Sequence, residues 1–315
     1  MRATRFGHII FALALALCVG SSNAWASISA CPTTSGTAAP LSGFNSAGNG
    51  CSQIDKNFDN FTMTTTGNGS TTGDPTTSNV SLYATGGTIS GSGASATITP
   101  ILANFVSTTA TCIGTGAGAS QWVDCSGSDT LTSTTDYQVA INSSNGPGGG
   151  YHWAITNLTL ALGTFTSTNP GNTGNTVDVK EEFCLGAATF NCTATSTNYG
   201  YIEEHVVFNT SGTPTITETI CYNNGASSCT TSSGSLSLNL GGLGYTTIGI
   251  QDTVTINRIT GAGTDIFLDG FDNQFGQSRE APEPSTFVLL GSLLVGLALL
   301  RRKQMIPGRD SHDQM

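Results

Sequence analysis

The chain has 315 residues, of which only 10% are charged, and its formal net charge at pH 7 is -10. A charge of this sign repels the phosphates of nucleic acid, so the composition argues against a nucleic-acid partner. The 40 glycines and the few charges would suit a disordered chain, but 37% hydrophobic residues and nine cysteines indicate a folded domain with long loops.

The first residues have the features of a Sec-type signal peptide. Two arginines precede an apolar run from Ile9 to Val19, and Ala24 and Ala26 form the small-x-small pattern that signal peptidase accepts. The apolar run is too short for a helix that spans a bilayer. We therefore expect a signal helix over residues 1–26, with cleavage before Ser27.

The next segment, residues 27–269, has apolar residues at every second position. The pattern occurs at Leu158, Leu160 and Leu162, at Val177 and Val179, at Ile248 and Ile250, and at Val254 and Ile256. Thr, Ser or Asn often fills the alternate positions, which is typical of half-buried strands in antiparallel sheets. We expect an all-β ectodomain, an antiparallel β-sandwich or jelly roll, built as one domain or as two sub-domains that divide near residue 170. The segment 270–281 is interpreted as a linker.

Eight cysteines stay in the mature chain, because Cys18 leaves with the signal peptide. An even number in an exported protein indicates disulfides, and the spacings are poor for zinc. The cysteines form four couples of sequence neighbours, so we predict the pairs Cys31–Cys51, Cys112–Cys125, Cys184–Cys192 and Cys221–Cys229. The last two pairs share the spacing Cys-x7-Cys around turn-forming residues, and each is interpreted as a disulfide across a β-hairpin.

The C-terminal region has three parts in a fixed order. They are the tripeptide Pro282-Glu283-Pro284, an apolar stretch from Phe287 to Leu300, and the basic residues Arg301, Arg302 and Lys303. As a helix the apolar stretch reaches about 21 Å, a marginal length for about 30 Å of hydrocarbon. The basic residues should remain in the cytoplasm, which places the ectodomain on the other side of the membrane.

This constellation resembles the PEP-CTERM sorting signal over residues 282–303. The resemblance implies export by a Gram-negative bacterium, transient anchoring in the inner membrane by the short C-terminal helix, and cleavage near residues 282–284 by exosortase, a membrane-embedded cysteine transpeptidase. The tail 304–315, interpreted as cytoplasmic, departs from the family pattern, whose members usually end soon after the arginines. The segment from Cys51 to Phe61 also resembles the start of ectodomains in this group. The group is associated with exopolysaccharide, which is therefore an expected partner.

No catalytic motif is recognisable, so we expect a protein that is not an enzyme. Neither His152 nor His205 lies in a nucleophile motif, and no phosphate loop or dinucleotide fingerprint is present. The leading hypothesis is a structural or adhesive protein, exported and sorted by exosortase, that acts at the cell surface or in an extracellular matrix of a biofilm.

Two alternatives involve carbohydrate. A lectin-like binding module would use Tyr151 and Trp153, or Trp122 or Tyr201, as stacking platforms. A secreted glycoside hydrolase or lyase would need carboxylates from separate strands, because the adjacent acids in Glu181-Glu182 and Glu203-Glu204 point to opposite faces; Glu204 is its candidate.

The expected cofactor set is empty except for a structural calcium ion. Asp265, Asp269 and Asp272 could hold one together with main-chain carbonyls, although their spacing matches no EF-hand loop.

Overall fold

The structure, a computed structural model, describes residues 28–44, 49–66, 77–78, 80–107, 122–123, 130–167, 174–209, 213–223, 227–233, 237–240, 244–258, 266–280, 291–295 and 297. The predicted signal helix, its cleavage residues Ala24, Ala26 and Ser27, the sorting tripeptide and the basic cluster lie outside these residues. Cys112, Cys125 and Asp265 also lie outside them.

The described residues form twenty strands and four short 3-10 turns. The strands are β1 Ser29–Ala30, β2 Ala39–Pro40, β3 Cys51–Gln53, β4 Lys56–Thr66, β5 Val80–Gly86, β6 Ile89–Ser90, β7 Thr97–Ile98, β8 Ile101–Ser107, β9 Trp122–Val123, β10 Thr130–Ile141, β11 His152–Leu162, β12 Phe165–Ser167, β13 Thr176–Leu185, β14 Tyr199–Val207, β15 Thr215–Asn223, β16 Ser227–Ser232, β17 Ser237–Asn239, β18 Thr247–Asn257, β19 Ile266–Leu268 and β20 Gly270–Glu280. The turns are η1 Ser35–Thr37, η2 Leu41–Gly43, η3 Gly93–Ser95 and η4 Ser143–Asn145.

Most strands belong to two sheets. A nine-stranded sheet has the order β1-β3-β4-β10-β18-β13-β14-β15-β16, and a six-stranded sheet has the order β17-β11-β20-β8-β5-β2. Apart from the parallel pair β1–β3, the neighbours within these sheets are antiparallel. The prediction of an all-β, antiparallel domain is therefore confirmed for the described residues.

Aromatic side chains from both sheets meet in one buried core. Phe58 of β4 lies 5.9 Å from Phe275 of β20, measured between ring centroids. Phe105 of β8 lies 5.3 Å from Tyr137 of β10 and 6.4 Å from Phe61 of β4. These contacts follow from the period of two along each strand, which turns every second side chain toward the core.

The segment interpreted as a linker is a strand in the interior of a sheet. Gly270–Glu280 forms β20, which pairs with β11 on one side and β8 on the other. Phe271 and Phe275 are buried in the core, and Asp272 and Gln274 occupy the alternate positions. The linker prediction is wrong, because the polar residues form the outward half of an alternating strand.

The chain does not divide near residue 170. The nine-stranded sheet places β10 beside β18, and the six-stranded sheet places β8 and β11 on either side of β20. Each sheet therefore combines strands from both halves of the sequence. The alternative of two sub-domains that divide near residue 170 is wrong.

Three predicted disulfide pairs are present, namely Cys31–Cys51, Cys184–Cys192 and Cys221–Cys229. Cys221 and Cys229 stand directly opposite each other in the β15–β16 hairpin, as the spacing predicted. Cys184 belongs to β13, whereas Cys192 lies in the connection to β14. The hairpin interpretation is therefore wrong for Cys184–Cys192, because the turn residues after Cys184 lead into a longer loop.

At the C-terminus, residues 291–295 and 297 are helical and exposed. Within the described part of the chain, no helix has the length and apolar character that a membrane crossing requires. The other residues of the stretch from Phe287 to Leu300 lie outside the described ranges.

Candidate functional site

A row of polar side chains crosses the outer face of the six-stranded sheet. Tyr83 of β5 stands opposite Asn104 of β8, and Asn104 stands opposite Asp272 of β20. Their strand neighbours Phe105 and Phe271 are buried in the core, so alternation directs the three polar side chains away from the nine-stranded sheet. All three are half-buried.

Two loop segments stand on either side of this row and make the surface concave. Ser35 and Gly36 of η1 contribute one wall, and Gly163 and Thr164, which connect β11 to β12, contribute the other. Asp269 lies between β19 and β20 beside the second wall. The cleft that results has a volume of about 520 Å³, within the range of small-molecule sites.

The second wall is fixed by main-chain hydrogen bonds. The N–H of Gly163 donates to the carbonyl of Gly270 at 2.8 Å, and the N–H of Asp269 donates to the carbonyl of Thr164 at 3.0 Å. A Cβ atom at Gly163 would collide with the Asp269 carboxylate and would stand 2.7 Å from the Gly270 carbonyl oxygen. Glycine at this position therefore leaves room for the Asp269 side chain.

The cleft is negatively charged and rich in hydrogen-bond acceptors. The described residues of its lining include no Lys, Arg or His, and no described cationic side chain forms an ion pair with Asp269 or Asp272. Burial raises the pKa of Asp272 above its usual value. Burial, followed by the charges of Asp272 and Asp269, raises the pKa of the Tyr83 hydroxyl.

The structure brings two of the three predicted calcium ligands together. Asp269 and Asp272 line the same cleft, and Asp265 lies outside the described residues. Among the residues that the structure describes, no group of three or more His, Cys, Asp or Glu side chains is arranged to hold a metal ion. Calcium binding at this position stays a prediction.

One of the two rings of the predicted aromatic platform is buried. Trp153 is 1% exposed, and its indole N–H donates to the carbonyl of Asn145 at 3.0 Å. The ring of Tyr151 has the Arg279 guanidinium 5.5 Å from its centroid. The platform prediction is wrong for Trp153, since this side chain is packed inside the protein.

Of the other two candidate rings, Tyr201 has the Lys180 ammonium 4.5 Å from its centroid. The side chain of Trp122 lies outside the described residues. Tyr83, which the sequence analysis missed, lines the cleft from the outward side of β5. The sequence does indicate the outward position of this residue, because Val80, Leu82 and Ala84 alternate as inward apolar residues and place Tyr83 on the opposite face of the strand.

The carboxylates considered for catalysis lie elsewhere. Glu204 stands opposite Glu218 on the neighbouring strand, and both are buried. Burial, and secondly the charge of Glu218, raises the pKa of Glu204 to about 7. Neither residue lines the cleft. As expected, Glu181 is buried whereas the adjacent Glu182 faces outward and pairs with Lys180 at 3.0 Å.

A buried acidic group that the sequence analysis did not identify joins the two sheets. Glu181 of β13 stands opposite Asp252 of β18, and both side chains are inaccessible to solvent. The amide Nδ2 of Asn273, on β20, donates to both Asp252 carboxylate oxygens at 2.9 and 2.8 Å. Neither carboxylate oxygen of Glu181 has a hydrogen-bond partner among the described residues. Burial raises the pKa of both acids.

A buried ion pair occupies the turn between β3 and β4. The Lys56 ammonium lies 2.7 Å from the Asp55 carboxylate, and both side chains are fully buried. Burial lowers the pKa of Lys56 to about 8, although Asp55 counteracts the effect. Gln277 of β20 donates to Asp55 at 3.3 Å. This pair therefore links the turn to the six-stranded sheet.

No protein-family model, curated protein or solved structure matches the chain. The functional argument therefore depends on the residues themselves.

Proposed function

We propose that the chain is an exported, exosortase-sorted protein of the cell surface or the extracellular matrix, with a structural or adhesive role linked to exopolysaccharide. The observation that supports the exported location is the presence of disulfides. Disulfides persist in oxidising compartments and are rare in the cytosol. This chain has three of them among its described residues.

Two of these disulfides lie at opposite ends of the nine-stranded sheet. Cys31–Cys51 ties the N-terminal segment to β3 near one end, and Cys221–Cys229 joins β15 to the last strand, β16, at the other. Edge strands have unpaired backbone groups and open most readily. Covalent links there protect the strands that an extracellular protease would reach first.

A sandwich or jelly-roll architecture is part of the proposal. The aromatic contacts between β4 and β20, and between β8 and β10, support two sheets that pack face to face over a shared core. Such a domain would present a broad outer surface on each side, as a matrix component requires.

The proposed route uses both ends of the sequence. Signal peptidase would cut before Ser27, the stretch from Phe287 to Leu300 would hold the chain in the inner membrane, and exosortase would cut near Pro282-Glu283-Pro284. Strand β20 ends at Glu280, so the proposed site follows directly after the last described strand of the sheets.

Intact mass spectrometry of the protein from the host's extracellular fraction tests this route. The expected mass corresponds to a chain that begins at Ser27, ends near residues 282–284 and has all its cysteines oxidised. The same strain without exosortase should retain the C-terminal segment in the membrane fraction. A chain that retains Phe287 to Leu300 in both strains would contradict sorting by exosortase.

A further inference from the structure

The cleft on the six-stranded sheet has a lining that selects against several kinds of ligand. Asp269 and Asp272 contribute two carboxylates, and none of the described residues that line the cleft has a cationic side chain to balance them. Phosphate, sulfate and uronate groups would therefore be repelled. An entirely apolar ligand would remove water from Asp272 without replacing its hydrogen bonds, which is costly.

The remaining groups match a ligand that has many hydroxyls. Ser35 and Thr164 have side-chain hydroxyls, Asn104 has an amide, and Tyr83 has an aromatic ring beside them. A single ammonium group would use the carboxylates alone. A sugar ring donates hydroxyl hydrogens to carboxylates and presents C–H groups to an aromatic face, so it uses the whole lining.

From this lining we infer that the cleft is a binding site for a neutral saccharide, with Tyr83 as its stacking platform and Asp269 and Asp272 as acceptors of its hydroxyl hydrogens. The Asn104 Nδ2 donates to the main-chain carbonyls of Tyr83 at 3.4 Å and Leu102 at 3.2 Å, which orients the amide. Glycine at position 163 leaves room for the Asp269 carboxylate.

This inference deepens the proposed adhesive role, on which it rests for the biological source of the glycan. Binding by purified protein does not depend on the route of export. Failure of exosortase sorting and failure of saccharide binding would therefore be separate results.

Isothermal titration calorimetry with the purified protein provides the test. The probes are neutral gluco-, galacto- and manno-oligosaccharides of three to six units, together with oligogalacturonate, chitosan oligomers and Ca²⁺ alone. Each glycan is measured in EDTA and in excess Ca²⁺. We expect at least one neutral oligosaccharide to bind equally well in both conditions, and oligogalacturonate not to bind.

Variants assign the binding to the cleft. Asp272→Asn should raise the Kd by about tenfold, as expected when a hydrogen bond to a charged acceptor is weakened. Tyr83→Ala should raise it by a similar factor of about ten, and Tyr83→Phe by less, because phenylalanine retains the ring.

The matched controls lie outside the cleft. Asp136→Asn removes one negative charge from the nine-stranded sheet, and Thr85→Ala shortens a side chain on the strand that contains Tyr83. Both should leave the Kd unchanged within about twofold.

The inference would be overturned by binding of no neutral glycan, or by binding that appears only with Ca²⁺ and so identifies a cation site. Equal losses of affinity in the cleft variants and the controls would overturn it as well. Preferential binding of the chitosan oligomers would also overturn it, because the carboxylates would then recognise an ammonium group.

Discussion

Glu181 and Asp252 are two acids that face each other in the interior of the protein. Burial disfavours their ionised forms, and it raises the pKa of Asp252 to about 8 and the pKa of Glu181 well above its usual value. The native state therefore holds protons that the unfolded chain releases near pH 4. The stabilisation from these protons is complete below that pH, and it is lost as the pH rises toward 8.

We predict that Glu181→Gln makes stability less dependent on pH. Glutamine has nearly the same shape, cannot ionise, and can donate a hydrogen bond to Asp252, which favours the ionised form of Asp252. The variant should gain about 1–3 kcal/mol at pH 8 and change little at pH 4.5. Urea unfolding followed by circular dichroism at both pH values measures the difference.

The control for this experiment is Glu203→Gln, which alters an outward-facing acid on the neighbouring strand β14. It should leave the pH dependence unchanged, because a half-exposed carboxyl remains solvated. An equal loss of stability at both pH values in Glu181→Gln would contradict the interpretation, since it would indicate a steric effect and not a titration.

The sequence could have identified these two positions but not their proximity. Glu181 continues the inward series of Val177 and Val179, and Asp252 lies between Ile250 and Val254 in another inward series. Both acids therefore stood where apolar residues were expected. No local pattern shows that β13 pairs with β18, because that contact depends on the topology of the whole sheet.

At the level of single strands, an irregularity in β11 explains the wrong interpretation of Trp153. Leu158 and Leu160 face the core, and simple alternation from them would place Trp153 on the outer face. The pairing of β11 with β20 shifts between Ile155 and Asn157, so the side of the strand that faces the core changes there. A bulge of this kind leaves no clear mark in the sequence.

A different reason accounts for the wrong linker interpretation of the segment that forms strand β20. Its sequence has two glycines and many polar residues, which are typical of a linker, and only Phe271 and Phe275 indicate an inward face. The third inward residue, Asn273, is polar because it binds Asp252 and Tyr137 in the core. A buried polar network thus hid the alternation of this strand.

We predict that the protein does not fold without this strand. A chain that ends at Asp269 loses the partner of both β8 and β11 and exposes the core around Phe58 and Phe105, so its native far-UV circular dichroism and its cooperative thermal transition should disappear. A chain that ends at Glu280 is the matched control and should unfold cooperatively. A folded, soluble chain that ends at Asp269 would restore the linker interpretation.

For the whole molecule, the order of the strands in the two sheets, and not the number of strands, decides whether the chain forms one domain or two. The chain passes from one sheet to the other several times, with β10, β13 and β18 in the nine-stranded sheet and β8, β11 and β20 in the six-stranded sheet. The sequence predicted the class of fold, because alternation is a local property. It left the choice between one and two domains open, because only the long-range pairing decides it.

The described disulfides do not contribute to the link between the two halves. Cys31–Cys51 lies before residue 170, and Cys184–Cys192 and Cys221–Cys229 both lie after it. Each half could therefore form these disulfides without the other. What joins the halves is the pairing of β10 with β18 and of β20 with β8 and β11, together with the core between the sheets.

We therefore predict that neither half folds alone. Residues 28–170 and 171–280, each produced in oxidising conditions, should lack a cooperative thermal transition, whereas residues 28–280 should show a single one, with equal calorimetric and van't Hoff enthalpies. Equimolar mixing of the halves should restore β structure in part, because their pairing surfaces complement each other. Two independent transitions in the intact chain, or a folded isolated half, would contradict this, since a half that folds alone cannot need β18 or β20 from the other half to complete its sheets.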